Sequence, residues 1–412
     1  MDRRNFMAAA GLAGLAGVVP LRASAAADPA NLAANATPIT KAERQARIAK
    51  AASLMRANDV DAVLIEAGST LVYFTGVEWW RSERLTGAVM TREGAIAIIT
   101  PFFEEPSVRQ TLAVEAEVLT WNEDEDPLMA IGGWLTRQGF GKSRIGIEET
   151  VRYFAVDRLQ QSLPQATIVN ANPVVRGCRM IKSPAELALM QTASDITMAA
   201  YRDAYSKITA GMTPADIGAL INGATAKLGG SPEFALVLLG EASAYPHGSR
   251  QKQVLKEGDV VLLDCGCTVL GYQSDISRTF VYGEATKRQR TVWDQMHRGQ
   301  AIAFEAATLG TEAGKVDDAV RAYYQTLGYG PGYKLPGTSH RTGHGIGLDG
   351  HEPVNLVHGE TTKLAPGMCF SDEPGIYIPG EFGIRLEDCF HMTASGPKWF
   401  SVPPGSLDDP IG

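Results

Sequence analysis

Val260-Val261-Leu262-Leu263-Asp264-Cys265-Gly266 is an apolar run that ends in a carboxylate, and it decides how the chain is read. Side chains alternate along an extended backbone, so Asp264 shares the face of Leu262, and aspartate is disfavoured inside strands. Something must compensate that charge. The next run, Gly271 to Phe280, supplies Asp275 eleven residues after Asp264. A hairpin would set the two carboxylates together, where they repel unless they share a proton or a cation. Taken alone, the pair is also explained by a turn or by an ion pair with Arg278.

Three further residues sit in unusually patterned segments. Gly343-His344-Gly345-Ile346-Gly347-Leu348 wraps a histidine in glycines, which let a backbone approach a ligand closely and suit neither a helix nor an ordinary strand. Ser371-Asp372-Glu373-Pro374-Gly375 puts a carboxylate before a Pro-Gly turn, and Gly383-Ile384-Arg385-Leu386-Glu387 reads as a strand with Arg385 and Glu387 on one face. Four carboxylates and one imidazole form an oxygen-rich set, suited to a pair of Mn, Co, Fe or Zn ions rather than to a thiolate zinc site. A two-metal site neutralises such a cluster, acidifies a water held between the ions and polarises a carbonyl.

The blocks Asp264–Phe280, His340–Pro353, Glu373–Tyr377 and Gly383–Glu387 resemble, in order and spacing, the pita-bread metallopeptidases, the family of aminopeptidase P, prolidase and methionine aminopeptidase. The resemblance implies an α/β (α+β) chain. A creatinase-type α/β N-terminal domain, residues 38–180, precedes a pita-bread catalytic domain, residues 181–405, whose curved antiparallel sheet is covered by helices. It also implies two divalent metal ions per chain, Mn foremost with Co, Zn or Fe as alternatives. Asp264 would chelate one ion, Asp275 and Glu387 would bridge both, and His344 with Glu373 would complete the other.

By the same resemblance His247 and His351 hold the tetrahedral intermediate and the scissile peptide, and His340 lies near the prolyl ring or the substrate carboxylate. Glu373 shuttles a proton from the bridging water to the departing amine. Arg385 and Tyr377 stand beside the ligands as candidate substrate contacts. The implied reaction is hydrolysis of Xaa-Pro bonds in a peptide with proline at its second position, by a homodimer. Prolidases take dipeptides and aminopeptidases P take longer peptides; export makes longer peptides a reasonable pool and tips the expectation slightly to the latter. The alternative is cleavage of a non-peptide C–N or C–S bond on the same scaffold, as in a dimethylsulfoniopropionate lyase-like enzyme. A non-catalytic binding module is disfavoured because such relatives lack the ligand set.

Outside the site the chain reads conventionally. Thr40-Lys41-Ala42-Glu43, Ser183-Pro184-Ala185-Glu186, Thr213-Pro214-Ala215-Asp216 and Thr286-Lys287-Arg288-Gln289 are capping boxes or variants of them and mark helix starts. Apolar runs at 61–65, 71–74, 95–100, 118–121, 144–147 and 167–169 are expected as strands of the first domain. With 46 acidic against 38 basic residues and no basic run, the chain has no general attraction for nucleic acid. Met1-Asp2-Arg3-Arg4-Asn5-Phe6-Met7, an apolar stretch to Leu21 and Ala23-Ser24-Ala25 resemble a twin-arginine signal peptide over residues 1–27, although Asp2 and Met7 stand where Ser and Leu are usual. The protein is therefore expected in the periplasm, without a stable membrane span once the signal is cleaved. The five cysteines are few, scattered and odd in number, and are expected as buried thiols.

Overall fold

The computed structural model describes residues 31–411, so the signal reading at residues 1–27 lies outside them. The first half carries β1 (Ala62–Glu66), β2 (Gly87–Thr91), β3 (Ile96–Pro101), β4 (Glu117–Trp121), β5 (Arg144–Ile147) and β6 (Thr167–Asn170). They form one sheet in the order β4-β3-β2-β1-β5-β6. The β1–β2 and β2–β3 pairs are antiparallel and the others parallel. Alternation along β1 splits its residues between two cores. Val63 and Ile65 pack with α1 (Lys41–Ala57), α2 (Ser69–Thr75), α3 (Glu105–Thr111) and α6 (Asn172–Arg179), whereas Ala62 and Leu64 pack with α4 (Pro127–Arg137) and α5 (Tyr153–Ser162).

The run 71–74 corrects the sequence reading, because it lies in α2 rather than in a strand. A short apolar run cannot be assigned by periodicity alone. Here Gly68 and Gly76 decide it: their φ values of 141° and 81° bracket the segment, and the Gly76 N–H closes the last turn on the Val72 carbonyl. The strand the pattern missed is β2, which is buried along its whole length and so shows no polar alternation.

The second half begins after α6. Helix α7 (Pro184–Tyr205) and α8 (Pro214–Lys227) start at Ser183 and Thr213, α9 (Lys287–Ala306) starts at Thr286, and all three carry complete capping boxes. Helix α10 (Ala313–Thr326) follows. The strands are β7 (Ser231–Leu239), β8 (Val260–Val269), β9 (Tyr272–Gln273) and β10 (Ile276–Val281), then β11 (Gly343–Gly345), β12 (Glu352–Leu356) and β13 (Cys369–Asp372), and finally β14 (Gly375–Ile378), β15 (Phe382–Arg385), β16 (Asp388–Thr393) and β17 (Gly396–Trp399). Their pairings are antiparallel, in the orders β10-β8-β7 with β9 on β8, β12-β11-β13-β16-β17, and β14-β15. A bridge between Ser277 and Glu387 joins the first two groups.

The alternation of side chains along β8 positions the chemistry. Val261, Leu263, Cys265, Cys267 and Val269 pack in one core with α7 and α8, which leaves Asp264 on the opposite face. All five cysteines are free and buried. No helix among the described residues is long and apolar enough to cross a membrane.

Candidate metal centre

Five segments converge. Asp264 comes from β8, Asp275 from the turn before β10, His344 from β11, Glu373 from the β13–β14 turn, and Glu387 from the link between β15 and β16. The glycines around His344 have a steric reason: a Cβ on Gly343 would lie 2.1 Å from the Ser371 carbonyl oxygen, and one on Gly345 would lie 2.6 Å from that of Glu352. Only glycine lets β11 run between β12 and β13 at this approach. The His344 N–H is held by Ser371 Oγ at 3.1 Å. Its Nδ1 lies 3.0 Å from the Gly345 carbonyl and therefore carries a proton, so Nε2, 3.2 Å from Glu373 and 3.7 Å from Asp275, is the ring atom free to donate to a carboxylate or, deprotonated, to bind a metal ion.

Asp275, His344 and Glu387 each offer one ligand atom within 4.8 Å of the others. Glu387 Oε2 accepts from Ser277 Oγ at 2.7 Å while its Oε1 is buried without a partner, as is Asp264 Oδ1. Burial pushes the Asp275 and Glu387 carboxyls well above the usual carboxylate range, and repulsion adds to it, from Asp264 and Glu373 on Asp275 and from Asp275, Glu373 and Asp264 on Glu387. Burial acts the same way on Glu373, but the bond from His344 and then its charge, with Arg385 adding, outweigh it and hold that group at about 2. Orphaned oxygens, crowded carboxylates and an imidazole fit hard divalent cations.

Arg385, which is buried, is a cation that already balances this cluster. It donates to Asp264, to Ser277 Oγ at 3.0 Å, to the Pro246 carbonyl at 3.3 Å and to Tyr377 Oη at 3.3 Å. Four of its five N–H donors are thus spent within the protein. Arg278, weighed above as a partner for the two aspartates, instead pairs with Asp388 at 2.7 Å.

Beside the cluster lies a cavity of about 380 Å³ lined by His247, His340, Arg341, His351, Glu373 and Arg385. His340 has both ring nitrogens engaged, Nδ1 with the Arg341 carbonyl and Nε2 with Tyr377 Oη, each at 2.7 Å. A carbonyl only accepts, so Nδ1 holds the proton and the Tyr377 hydroxyl donates to Nε2. His351 stacks edge-on against His344, with ring centroids 4.1 Å apart. Burial, then the charges of His344 and Arg341, lower its pKa to about 4, so its ring is neutral at physiological pH. His247 is exposed and lines a second groove as well.

The sequence reading missed Ser277, Ser371 and Arg341. Ser277 was findable: it lies two residues after Asp275, on the same face of a strand, and links Arg385 to Glu387. Arg341 carried a weaker signal, as a charged residue three before His344 and next to His340.

Residues 188–394 match the model of metallopeptidase family M24, and residues 47–181 match the creatinase/prolidase N-terminal domain. The chain is 32% identical over 355 residues to the probable dipeptidase PepE of Mycobacterium tuberculosis, covering 85% of this chain and 92% of that one. It is 28% identical to the Xaa-Pro dipeptidase of Pyrococcus horikoshii, covering 85% and 95%. The crystal structure of dipeptidase PepE from Mycobacterium ulcerans superposes with a TM-score of 0.82 at 29% identity, covering 90% of this chain and 99% of that one. The chain belongs to metallopeptidase family M24, in its two-domain form with a creatinase/prolidase N-terminal domain, and is a peptide hydrolase.

Proposed function

We propose that this protein is a dipeptidase that hydrolyses Xaa-Pro bonds, using two divalent ions held by Asp264, Asp275, His344, Glu373 and Glu387. The observation that carries the reading is the convergence of these five side chains, two with orphaned oxygens, on a cavity edged by His247, His340 and His351. When bound, the ions supply Lewis acidity, lowering the pKa of a water and polarising the scissile carbonyl. Everything else falls to the chain. Glu373, ionised at neutral pH, takes the proton of the attacking water and delivers it to the leaving nitrogen. That delivery matters because the prolyl nitrogen has no N–H and leaves only once protonated. His351, neutral and at the cavity wall, donates to the oxygen that gains charge, and His247 lies within the same lining. Arg385 and Tyr377 hold Asp264 and His340 in place rather than meeting substrate through free donors.

Mn is the proposed native metal, the proposed assembly is a homodimer, and the signal read at residues 1–27 supports export to the periplasm by the twin-arginine route. The preference for dipeptides over longer peptides follows the dipeptidases the chain resembles, against the slight lean that export suggested. The test is hydrolysis of Ala-Pro and Ala-Pro-Ala by metal-stripped protein before and after addition of Mn, Co, Zn or Fe. Metal-restored cleavage of Ala-Pro is expected; two bound metals per chain with no cleavage of either peptide would return the search to non-peptide C–N and C–S bonds.

A further inference from the structure

Helix α10 contributes no residue to the lining of the catalytic cavity, yet two of its charged side chains grip the segment that carries His340 and leads into β11. Asp317 is wholly buried, and its carboxylate accepts four bonds. Oδ1 takes the Thr342 hydroxyl at 2.7 Å and the Thr342 N–H at 3.1 Å, the latter shared with the Leu356 carbonyl. Oδ2 takes the His358 N–H at 2.9 Å and Arg321 Nε at 2.7 Å. Arg321, one turn further along the helix, donates from Nη1 to the Gly332 and Thr338 carbonyls at 2.8 and 3.3 Å and from Nη2 to the His340 carbonyl at 2.6 Å.

The chain gripped in this way leads to the chemistry. The Thr342 carbonyl accepts the Glu373 N–H at 2.8 Å, so the residue that Asp317 holds through hydroxyl and amide is the one on which the main chain of Glu373 rests. Thr342 is itself wholly buried, and a hydroxyl donating to a carboxylate is a charge-assisted bond, roughly twice as strong as a neutral one. Removing that hydroxyl leaves a buried carboxylate one donor short. The role asked of Glu373 has little tolerance for such a change, because a group that moves a proton must lie within hydrogen-bond reach of both the atom that gives it and the atom that takes it.

We infer that Asp317 is a positioning residue for the hydrolysis: through Thr342 it fixes the main chain of Glu373, and with it the placement of the carboxylate that moves the proton. The inference rests on the peptidase reading and adds a residue outside the cavity that governs turnover rather than substrate affinity. Arg321 completes the device by neutralising Asp317 and tying the preceding backbone, as far as His340, to the same helix.

The experiment compares Thr342→Val, Thr342→Ser and Asp317→Asn with wild type on Ala-Pro after metal loading, and records bound metal, the visible spectrum of the Co(II) forms and urea unfolding midpoints. Thr342→Val keeps the branched shape and loses the hydroxyl. Its kcat should fall by about 10- to 100-fold with KM within about threefold, and its Co(II) bands should shift as Glu373 moves. Thr342→Ser keeps the hydroxyl and should retain the wild-type kcat and spectrum. Asp317→Asn, which turns an N–H towards one of its donors, should lose at least as much kcat as Thr342→Val, and the double variant should lose no more than Asp317→Asn alone. Where Asp317→Asn does not fold, the two Thr342 variants decide. A Thr342→Val protein with wild-type kcat or an unshifted Co(II) spectrum overturns the inference, and so does a kcat loss that Thr342→Ser shares or a loss confined to KM. All of these leave the peptidase reading standing. If wild type cleaves no peptide, the Xaa-Pro reading falls, and the Co(II) spectra still decide whether Thr342 places Glu373.

Discussion

Glu387 illustrates what a metal centre costs a fold that must also stand without metal. Its Oε1 is buried and unpartnered, and burial together with Asp275, Glu373 and Asp264 disfavours its charge. Glu387→Gln keeps the shape and an acceptor for Ser277 while removing one charge from the cluster. In metal-free protein it should raise stability, since it removes a carboxyl whose ionisation both burial and its neighbours oppose. In the presence of metal the order should reverse, because the variant has lost a ligand. Calorimetric unfolding of both proteins, with and without Mn, checks this; a variant less stable than wild type in both conditions would mean that shape rather than repulsion governs the position.

At the scale of elements, what the sequence made legible was what local chemistry determines. The capping boxes at Ser183, Thr213 and Thr286 name their own partners three residues on, and each starts a helix. The strand that carries Asp264 was legible because a continuous apolar run ends in a charge that needs a partner. Segment 71–74 was not, because two glycines and the surrounding core decide between helix and strand there. Equivalent-looking caps also differ in ways only packing reveals. The Thr213 cap is exposed and local, whereas Ser183 Oγ also donates to Glu43 of α1 at 2.7 Å, tying α7 to the first domain. Thr213→Ala should therefore cost about 1 kcal/mol and Ser183→Ala roughly 2, read from urea unfolding midpoints. Equal losses would show that the bond to Glu43 adds nothing in solution.

At the scale of the molecule, the two halves are joined by buried charge that no local pattern announced. Arg47 of α1 bonds Tyr272 at 3.0 Å and pairs with Glu186 at 3.3 Å, and Glu352 at the start of β12 takes both Arg179 at 2.5 Å and Lys182 at 2.8 Å. Partners 139 to 225 residues apart meet only when the chain is folded, which is why the metal ligands could be read from motifs and these joints could not. Glu352 makes the joint sensitive to pH. Burial alone would raise its pKa, but Arg179 and then Lys182 outweigh burial and hold it at about 2 against an ordinary 4.5. A carboxyl with a lowered folded-state pKa binds its proton more readily when unfolded. Its stabilisation is therefore complete above about pH 4.5 and is lost as the pH falls through about 2, a contribution of roughly 3 kcal/mol. Glu352→Gln, which leaves two cations facing a neutral amide, should be less stable than wild type at pH 7 by about that amount, and the gap should close progressively between pH 4.5 and 2. Unfolding curves for the two proteins at pH 7, 4 and 3 decide it: a gap that stays constant across that range would assign the cost to lost packing at the joint, not to the charge of Glu352.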